Sequence, residues 1–251
     1  MQRTLESNFK VWNDTYQWPQ DGDEWDGQAR ACRQPYEAWK QAIVNSLILP
    51  YLYPAATIVE IGAGHGRWSE EIMHDCHTLI LVDFSPNCIA YCQQRFAAQP
   101  HLRYLLNDGQ SLPGIADASV DFVWSFDCFV HLEADILSAY LSEIKRVLKP
   151  GGRAVIHHAG RRHWFRHLSF LASTGRLGQR CYNWLSLGCW QRDDGARSQL
   201  SRQLVCKLVK QAGLTLETQK QYWGQANEFG VARYNDWITI LQKPAYPANQ
   251  E

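Results

Sequence analysis

Residues 57–158 alternate short apolar runs with segments of helical periodicity, and this alternation restricts the chain to an α/β fold. The pattern predicts strands at 57–61, 78–83, 102–107, 120–125 and 153–158, with helices at 66–75, 86–97 and 133–148. Repeated β-α units form a parallel sheet covered by helices on both faces. After a helix near 198–212, strands near 214–222 and 236–242 follow each other without a helix. The sequence therefore predicts a doubly wound, mostly parallel, seven-stranded sheet with a reversed last strand.

Composition indicates one globular domain without a strong overall electrostatic field. The 251 residues are 45% apolar, and 25 Lys and Arg balance 25 Asp and Glu, so overall charge does not attract nucleic acid or an anionic membrane. The chain begins without an apolar signal segment, and no apolar run reaches the roughly 18 residues of a membrane span. The eight cysteines form no C-x-x-C pair. We expect a cytoplasmic protein with reduced thiols and no membrane span.

Two segments depart from the regular alternation. Residues 1–35 mix acidic and aromatic side chains, and we interpret them as a lid segment that excludes water from a ligand site. Their tryptophan and tyrosine residues are Trp12, Tyr16, Trp18 and Trp25. The main domain is expected at 36–251, and it begins with a helix over 36–50. Inside it, the pattern lapses at about 160–197, which is longer than an ordinary loop and predicts a substrate-binding insertion.

The stretch VEIGAGHGRW, at residues 59–68, places three glycines directly after the first predicted strand. In a sheet of this kind a ligand lies beyond the carboxyl ends of the strands, where glycine lets the backbone approach it closely. The spacing G-x-G-x-G differs from the G-x-G-x-x-G of a dinucleotide site, and the G-K-[ST] of a P-loop is absent. Packing of the turn alone is the competing explanation for these glycines.

The next two strands also end in residues that suit a nucleoside ligand. Asp83 can accept hydrogen bonds from both hydroxyls of a ribose, and Phe84 can lie against an adenine face. Asp108 ends the third strand and can accept from an adenine amino group. Agreement among three neighbouring strand ends favours a ligand site over a packing role.

The segments VEIGAGHGRW, LVDFSP, NDGQSL, DFVWSFDCFVHL and LKPGGRAVIHH together resemble the class I S-adenosylmethionine-dependent methyltransferases, in particular a bacterial branch that modifies small molecules or glycans. The resemblance covers residues 57–158 by motif and the remainder by topology. It implies a Rossmann-like methyltransferase fold with S-adenosyl-L-methionine as the cofactor. The cofactor-binding residues that it implies are Glu60, Gly62, Ala63, Gly64, Asp83, Phe84, Asp108, Gly109, Ser125 and Phe126.

Methyl transfer to a hydroxyl requires an aligned nucleophile, a base and exclusion of water. His131, after the fourth strand, is the predicted general base, with ordering of the loop or capping of the next helix as the alternative role. Asp127 is expected to orient this histidine or to bind a substrate hydroxyl, unless it only caps the loop. His157 or His158 is the alternative base. His157 and His158 near Asp127 could together bind a divalent cation. Because the sequence shows no carboxylate triad, we predict no metal.

The insertion combines arginine with tryptophan, which suits an acceptor that has an anionic group and a flat ring. A solvated helical lid with buried tryptophans is the alternative. The spacing of Trp164, Leu168 and Leu171 also fits an amphipathic helix that meets a partner or a membrane surface. The residues expected to contact the acceptor are Tyr16, Trp18, His158, Arg161 and Trp164.

These observations predict O-methylation of a polar small molecule or of a sugar unit. N-methylation of an amine or amino sugar, and a cofactor-binding scaffold without activity, are the alternatives. Nucleic acid is a poor substrate because the [DN]-P-P-[FY] signature is absent, residues 125–128 reading SFDC, and the charge is balanced. The sequence leaves the oligomeric state open, with a homodimer as one option.

Overall fold

The computed structural model describes residues 4–19, 27–191 and 195–245. The acidic stretch at 20–26 with Trp25, and Arg192 of the insertion, lie outside the described residues. Within the described ranges, no helix is long and apolar enough to cross a membrane.

The strands lie close to their predicted positions. They are β1 (Thr57–Ile61), β2 (Thr78–Asp83), β3 (Leu102–Leu106), β4 (Val120–Ser125), β5 (Leu148–His158), β6 (Thr215–Lys220), β7 (Tyr222–Trp223), β8 (Phe229–Gly230) and β9 (Trp237–Gln242). In this part of the chain one seven-stranded sheet has the order β3-β2-β1-β4-β5-β9-β6, and β7 pairs separately with β8. Strands β1 to β5 pair in parallel, and β9 runs antiparallel between β5 and β6. The predicted α/β fold with a reversed last strand is confirmed.

Some helices cover the two faces of the sheet, and others belong to the N-terminal segment and to the insertion. They are α1 (Leu5–Phe9), α2 (Gly27–Ala31), α3 (Tyr36–Ile43), α4 (Ser69–Ile72), α5 (Pro86–Arg95), α6 (Ala134–Val147), α7 (Arg176–Leu187) and α8 (Arg202–Gln211). Helix α1 continues as a π-helix over Lys10–Thr15, and α3 continues through a π-helical turn at Val44–Ile48. The helix predicted at 66–75 is shorter, because Gly66 has a φ of +85° and lies outside the helical region. Strand β5 begins five residues before its predicted start at 153, because Leu148 already pairs with Val120 ahead of a register shift.

Alternate residues of each central strand pack into two separate cores. In β1, Ile58 joins the core beneath α3, whereas Val59 and Ile61 join the core beneath α6 and α8. Successive side chains of a strand point to opposite faces, so both faces of the sheet must be apolar at these positions. The strand order reverses at β1, which lies between β2 and β4. This reversal opens a crevice at the carboxyl ends of these strands.

The insertion forms a helical hairpin beside the crevice. Its first arm is a 3-10 helix over His163–Ser173, and its second arm is α7. The amphipathic α-helix suggested by the spacing of Trp164, Leu168 and Leu171 is replaced by a helix with three residues per turn. Trp164 is therefore exposed, whereas Leu168 and Leu171 are half-buried.

Candidate functional site

A cavity of about 320 Å³ lies at the carboxyl ends of β1, β2 and β4. Its floor comes from the strand ends, including Gly62, Gly64, Asp83 and Phe126. Its roof comes from the N-terminal segment, through Leu5, Asn8, Trp12, Tyr16 and Trp18. The remaining wall comes from the segment after β4, with His131, and from the end of the insertion, with Arg197.

The glycines after β1 form a cradle that larger side chains would fill. Gly62 has a φ of +75°, and a Cβ added there would lie 2.5 Å from the Cβ of Cys128. Gly64 has a φ of +54°, and a Cβ added there would lie 2.7 Å from the ring of Trp18. Both the backbone conformation and the neighbouring side chains therefore require glycine at these positions.

Asp83 lies in the floor of the cavity at the end of β2. It is 7% exposed, and its two oxygens accept hydrogen bonds from the backbone N–H groups of Gly64 and Ser85, each at 2.9 Å. A carboxylate has about four lone-pair sites, so it can also accept from ligand hydroxyls. Burial raises the pKa of Asp83, although these backbone hydrogen bonds act in the opposite direction.

The residues expected at an adenine divide between two places. Phe84 and Gly109 line the cavity, and Leu5 from the roof lies next to both of them. Asp108 is exposed and lines an adjoining shallow depression instead. Its Oδ1 accepts from the backbone of Gln110 and from the Ser111 hydroxyl, which fixes the turn and lowers the pKa of Asp108 against the opposing effect of burial.

Three expected cofactor residues lie behind the cavity wall. Glu60 is buried and accepts a hydrogen bond from the Ser69 hydroxyl. Ala63 packs into the core, and Ser125 donates from its hydroxyl to the carbonyl of Ile61 at 2.8 Å. These contacts hold the glycine turn and the end of β4 in place, so the structure gives these residues a supporting position.

Asp127 stands at the cavity wall between two basic side chains. Its Oδ2 lies 2.7 Å from Nη2 of Arg67, and its Oδ1 lies 3.1 Å from Nδ1 of His157. Its backbone has a φ of +58°, which is uncommon outside glycine and indicates local strain. Burial acts to raise the pKa of Asp127, but His157 and Arg67 outweigh it and hold that pKa well below its usual range.

His157 connects this carboxylate to a second one deeper in the fold. Its Nε2 lies 3.4 Å from Oδ2 of Asp236, which Arg197 binds through Nε and Nη2. Gln28 donates to the same Oδ2 at 3.0 Å. Burial acts to lower the pKa of His157, but its contacts with Asp127 and Asp236 outweigh burial and raise it. Arg67, Asp127, His157, Asp236 and Arg197 thus form a chain in which basic and acidic side chains alternate.

His131 lines the cavity from the 3-10 turn Phe129–His131. Its Nδ1 lies 3.0 Å from the carbonyl oxygen of Ala196. Because a carbonyl only accepts, Nδ1 carries the proton, and a neutral ring then has its lone pair on Nε2. The ring lies 4.8 Å from that of Trp12, and the backbone carbonyl of His131 accepts from Asn8. The predicted base therefore lies at the cavity in the tautomer that a base requires.

The residues expected at the acceptor are not gathered in one place. Tyr16 and Trp18 line the cavity, with ring centroids 5.0 Å apart. His158 is buried between the Ala159 carbonyl and the Thr239 hydroxyl. Arg161 is buried too and donates to the carbonyls of Ser198 and Arg197. Trp164 is 70% exposed and faces solvent away from the cavity.

Several residues at or behind the cavity wall carried little signal in the sequence. In the sequence, Arg197 is one of several arginines of the insertion, and Asp236 is only the first residue of a predicted strand. Tyr140, from α6, lines the cavity and accepts from the Asn107 amide at 2.9 Å. Among the described residues, no group of three or more His, Cys, Asp or Glu side chains could hold a metal ion.

The residues present fit S-adenosylmethionine. Gly62 and Gly64 line the cavity with bare backbone, which a ligand can approach closely, and Asp83 offers a buried carboxylate to a pair of hydroxyls. Phe84 and Leu5 offer apolar surface beside Gly109. Gly62, Gly64, Asp83, Phe84 and Gly109 would hold the cofactor in this cavity.

Comparison with known proteins agrees with this geometry. Residues 59–156 match the family described as "Methyltransferase domain". The demethylmenaquinone methyltransferase of Beutenbergia cavernae is 30% identical over 118 residues, covering 47% of this chain and 45% of that protein. The malonyl-[acyl-carrier protein] O-methyltransferase of Pectobacterium atrosepticum is 28% identical over 130 residues, covering 50% and 48%. The chain spans about half the length of these two relatives.

A solved structure extends the likeness to nearly the whole chain. The N-methyltransferase NodS from Bradyrhizobium japonicum, in complex with S-adenosyl-L-homocysteine, superposes with a TM-score of 0.59 at 18% identity and covers 96% of both chains. At this identity the likeness shows the fold. Together with the domain match, it supports a class I methyltransferase domain with S-adenosylmethionine as its cofactor.

Proposed function

We propose that this protein is an S-adenosylmethionine-dependent O-methyltransferase that acts on a hydroxyl of a polar small molecule or of a sugar unit. The observation that carries the proposal is His131, which lines the cavity with Nδ1 at the Ala196 carbonyl and its lone pair on Nε2. A hydroxyl loses its proton far above neutral pH, so its attack on a methyl group is accelerated by a base within reach.

The cofactor, when bound, supplies an electrophilic methyl group. The chain's residues then align the acceptor and receive its proton at Nε2 of His131. The imidazolium that forms is stabilised by the Ala196 carbonyl and by the nearby ring of Trp12. Trp12 and Trp18 in the roof exclude water, which strengthens these interactions.

The acceptor class follows from the size and enclosure of the site. The N-terminal segment covers the cavity and is held by hydrogen bonds from Asn87 to the Asn13 carbonyl and from Ser85 to the Asn13 side chain. This roof encloses the cavity, which favours a small molecule over nucleic acid as the acceptor. All eight cysteines are free thiols, which supports a reducing compartment such as the cytoplasm.

The experiment separates a hydroxyl from an amine as the acceptor. Labelled cofactor is offered with panels of sugars, phosphorylated sugars, phenols and amino sugars, and His131→Ala is then compared with His74→Ala, which changes an exposed histidine. We expect His131→Ala to lower kcat about 10²- to 10⁴-fold on a hydroxyl acceptor, with cofactor affinity within about twofold. Full turnover of an amine by His131→Ala would replace O-methylation with N-methylation. Cofactor binding without turnover of any acceptor would indicate a scaffold protein.

A further inference from the structure

The hairpin of the insertion carries a strong local charge within a neutral chain. Residues 161–191 contain no Lys, Asp or Glu, whereas the whole chain has equal numbers of basic and acidic residues. Their arginines are Arg161, Arg162, Arg166, Arg176 and Arg180. Arg161 is buried in hydrogen bonds, but Arg162, Arg176 and Arg180 are exposed.

Helix α7 exposes an apolar and basic face to solvent. Leu177 is 67% exposed and Trp184 is 54% exposed. With Arg180 they follow a spacing of three and four residues, which puts all three on one side of the helix. The opposite side, with Tyr182 and Ser186, is buried. The exposed apolar face is therefore not explained by packing within the chain.

The 3-10 arm also exposes an apolar face, with the period of three residues per turn of a 3-10 helix. Residues three apart lie above one another in a 3-10 helix, so Trp164 and Phe170 share a face with His167 between them. Trp164 is 70% exposed and Phe170 is 59% exposed. Trp190, directly after α7, is 53% exposed. The hairpin thus presents exposed aromatic side chains on both of its arms, together with exposed leucine and arginine on α7.

We propose that residues 161–191 are a docking surface for an anionic lipid bilayer. Exposed tryptophan and leucine enter the boundary between headgroups and acyl chains, and arginine is attracted to anionic headgroups. A second copy of the chain is a poorer occupant, because a symmetric contact would bring two arginine-rich surfaces together without an acidic side chain between them. Nucleic acid is also a poorer occupant, because contacts to its phosphates need basic side chains and do not need exposed leucine and tryptophan.

The exposed apolar residues of the hairpin are separate from the cavity, because Leu177, Trp184 and Trp190 are not among the residues that line it. A hydrogen bond from Arg161 N to Leu200 O, at 2.7 Å, ties the start of the hairpin to the segment after the insertion, and Arg162 N donates to Ser186 O of α7 at 2.8 Å. The cavity wall at Gly195 and Arg197 belongs to the same insertion. The bilayer surface is separate from the proposed methyl transfer, so either proposal can fail without the other.

The test is sedimentation of the full chain with vesicles of phosphatidylcholine that contain about one third phosphatidylglycerol. Each arginine near an anionic surface contributes about 1 kcal/mol, or roughly fivefold in binding. We therefore expect Arg176→Gln with Arg180→Gln to weaken binding at least tenfold, and Leu177→Ala with Trp184→Ala to do the same. Arg103→Gln with Lys207→Gln removes equal charge from exposed sites on β3 and α8, and it should change binding less than twofold.

Each other outcome would overturn the proposal. The first is that the parent does not bind anionic vesicles at low salt. The second is that it binds vesicles of pure phosphatidylcholine equally well. The third is that the control variant loses as much vesicle binding as the hairpin variants. Dimers abolished by the hairpin variants, without vesicle binding, would assign the surface to a second copy. Binding to single-stranded RNA through the same residues, without vesicle binding, would assign it to nucleic acid. Thermal unfolding of each variant verifies that the fold is retained.

Discussion

The indole of Trp18 stacks on the imidazole of His65, with ring centroids 4.7 Å apart and planes inclined by 14°. The other face of His65 stacks on Tyr91 at 3.7 Å. Burial lowers the pKa of His65 to about 4, with nearby Arg95 acting in the same direction, so the ring between the two aromatic side chains is neutral near pH 7. The stack joins the roof of the cavity to the glycine turn and to α5.

The first prediction concerns this stack. Trp18→Ala removes the ring that lies against Gly64 and His65, and an aromatic pair is worth about 0.5–1.5 kcal/mol beyond its buried area. We expect the affinity for S-adenosylhomocysteine, measured by calorimetry, to fall about three- to tenfold or more. Trp190→Ala, at an exposed position outside the cavity, is the matched control. Unchanged affinity in Trp18→Ala would show that the roof does not contribute to binding.

Truncation should divide the N-terminal segment into two parts. A chain that begins at residue 20 loses the roof but retains Gln28, which binds buried Asp236, and Ala29, which lies in the core. It should remain folded and lose turnover. A chain that begins at residue 31 loses both contacts and should lose a further 1–3 kcal/mol in the free energy of unfolding, because Asp236 loses a hydrogen bond.

Urea denaturation of both truncated chains measures this difference. Equal stability of the two would place residues 27–30 with the lid, as the boundary at residue 35 predicts. Failure of the longer chain to fold would instead make the roof structural.

Asp83→Ala should weaken cofactor binding by about 1.5–3 kcal/mol, because it removes a charged hydrogen-bond acceptor from the cavity floor. Burial raises the pKa of Asp83, so binding in the parent should weaken as pH falls through this raised value, at a higher pH than for an exposed carboxylate. Calorimetry between pH 4 and 7 tests both expectations. Asp117→Ala, at an exposed carboxylate, should bind like the parent. A parent affinity that stays constant with pH would show that Asp83 need not be ionised.

The sequence predicted the floor of the site better than its wall. The position of Asp83 in the site was predictable, because hydrophobic periodicity locates the end of β2 and a ligand in this fold lies beyond the strand ends. The pair of Arg197 and Asp236 could not be found in this way, because it joins residues 39 positions apart through a buried contact that leaves no periodic pattern. Trp164 was expected at the acceptor, but the period of the 3-10 helix directs it to solvent.

The chain of alternating basic and acidic side chains from Arg67 to Arg197 predicts that the free energy of unfolding depends on pH. The folded-state pKa of His157 is raised, so its contribution is complete below its unfolded value of about 6.5 and is lost as pH rises through the folded value. The pKa values of Asp127 and Asp236 are lowered. Their contributions are complete above about pH 4 and are lost as pH falls through the folded values.

The variant His157→Gln tests the loss of stability that is expected at alkaline pH. The free energy of unfolding of the parent should exceed that of His157→Gln most near pH 6, and the difference should shrink towards pH 9. Urea denaturation across this range measures it, with His74→Gln as the exposed control. A difference that is constant with pH would mean that His157 stays neutral in the folded protein.

The position of β9 in the sheet has a consequence for biosynthesis. Strand β9 pairs with β5 on one side and β6 on the other, yet the ribosome makes it after both. Until residue 237 emerges, β6 has no partner in the sheet, and Asp236 cannot meet His157 or Arg197. At about 5–20 residues per second, the interval between completion of β5 and the arrival of β9 lasts several seconds. During that interval the edge of β5 that will pair with β9 has no partner strand, and an unpaired edge is a template for pairing with another chain.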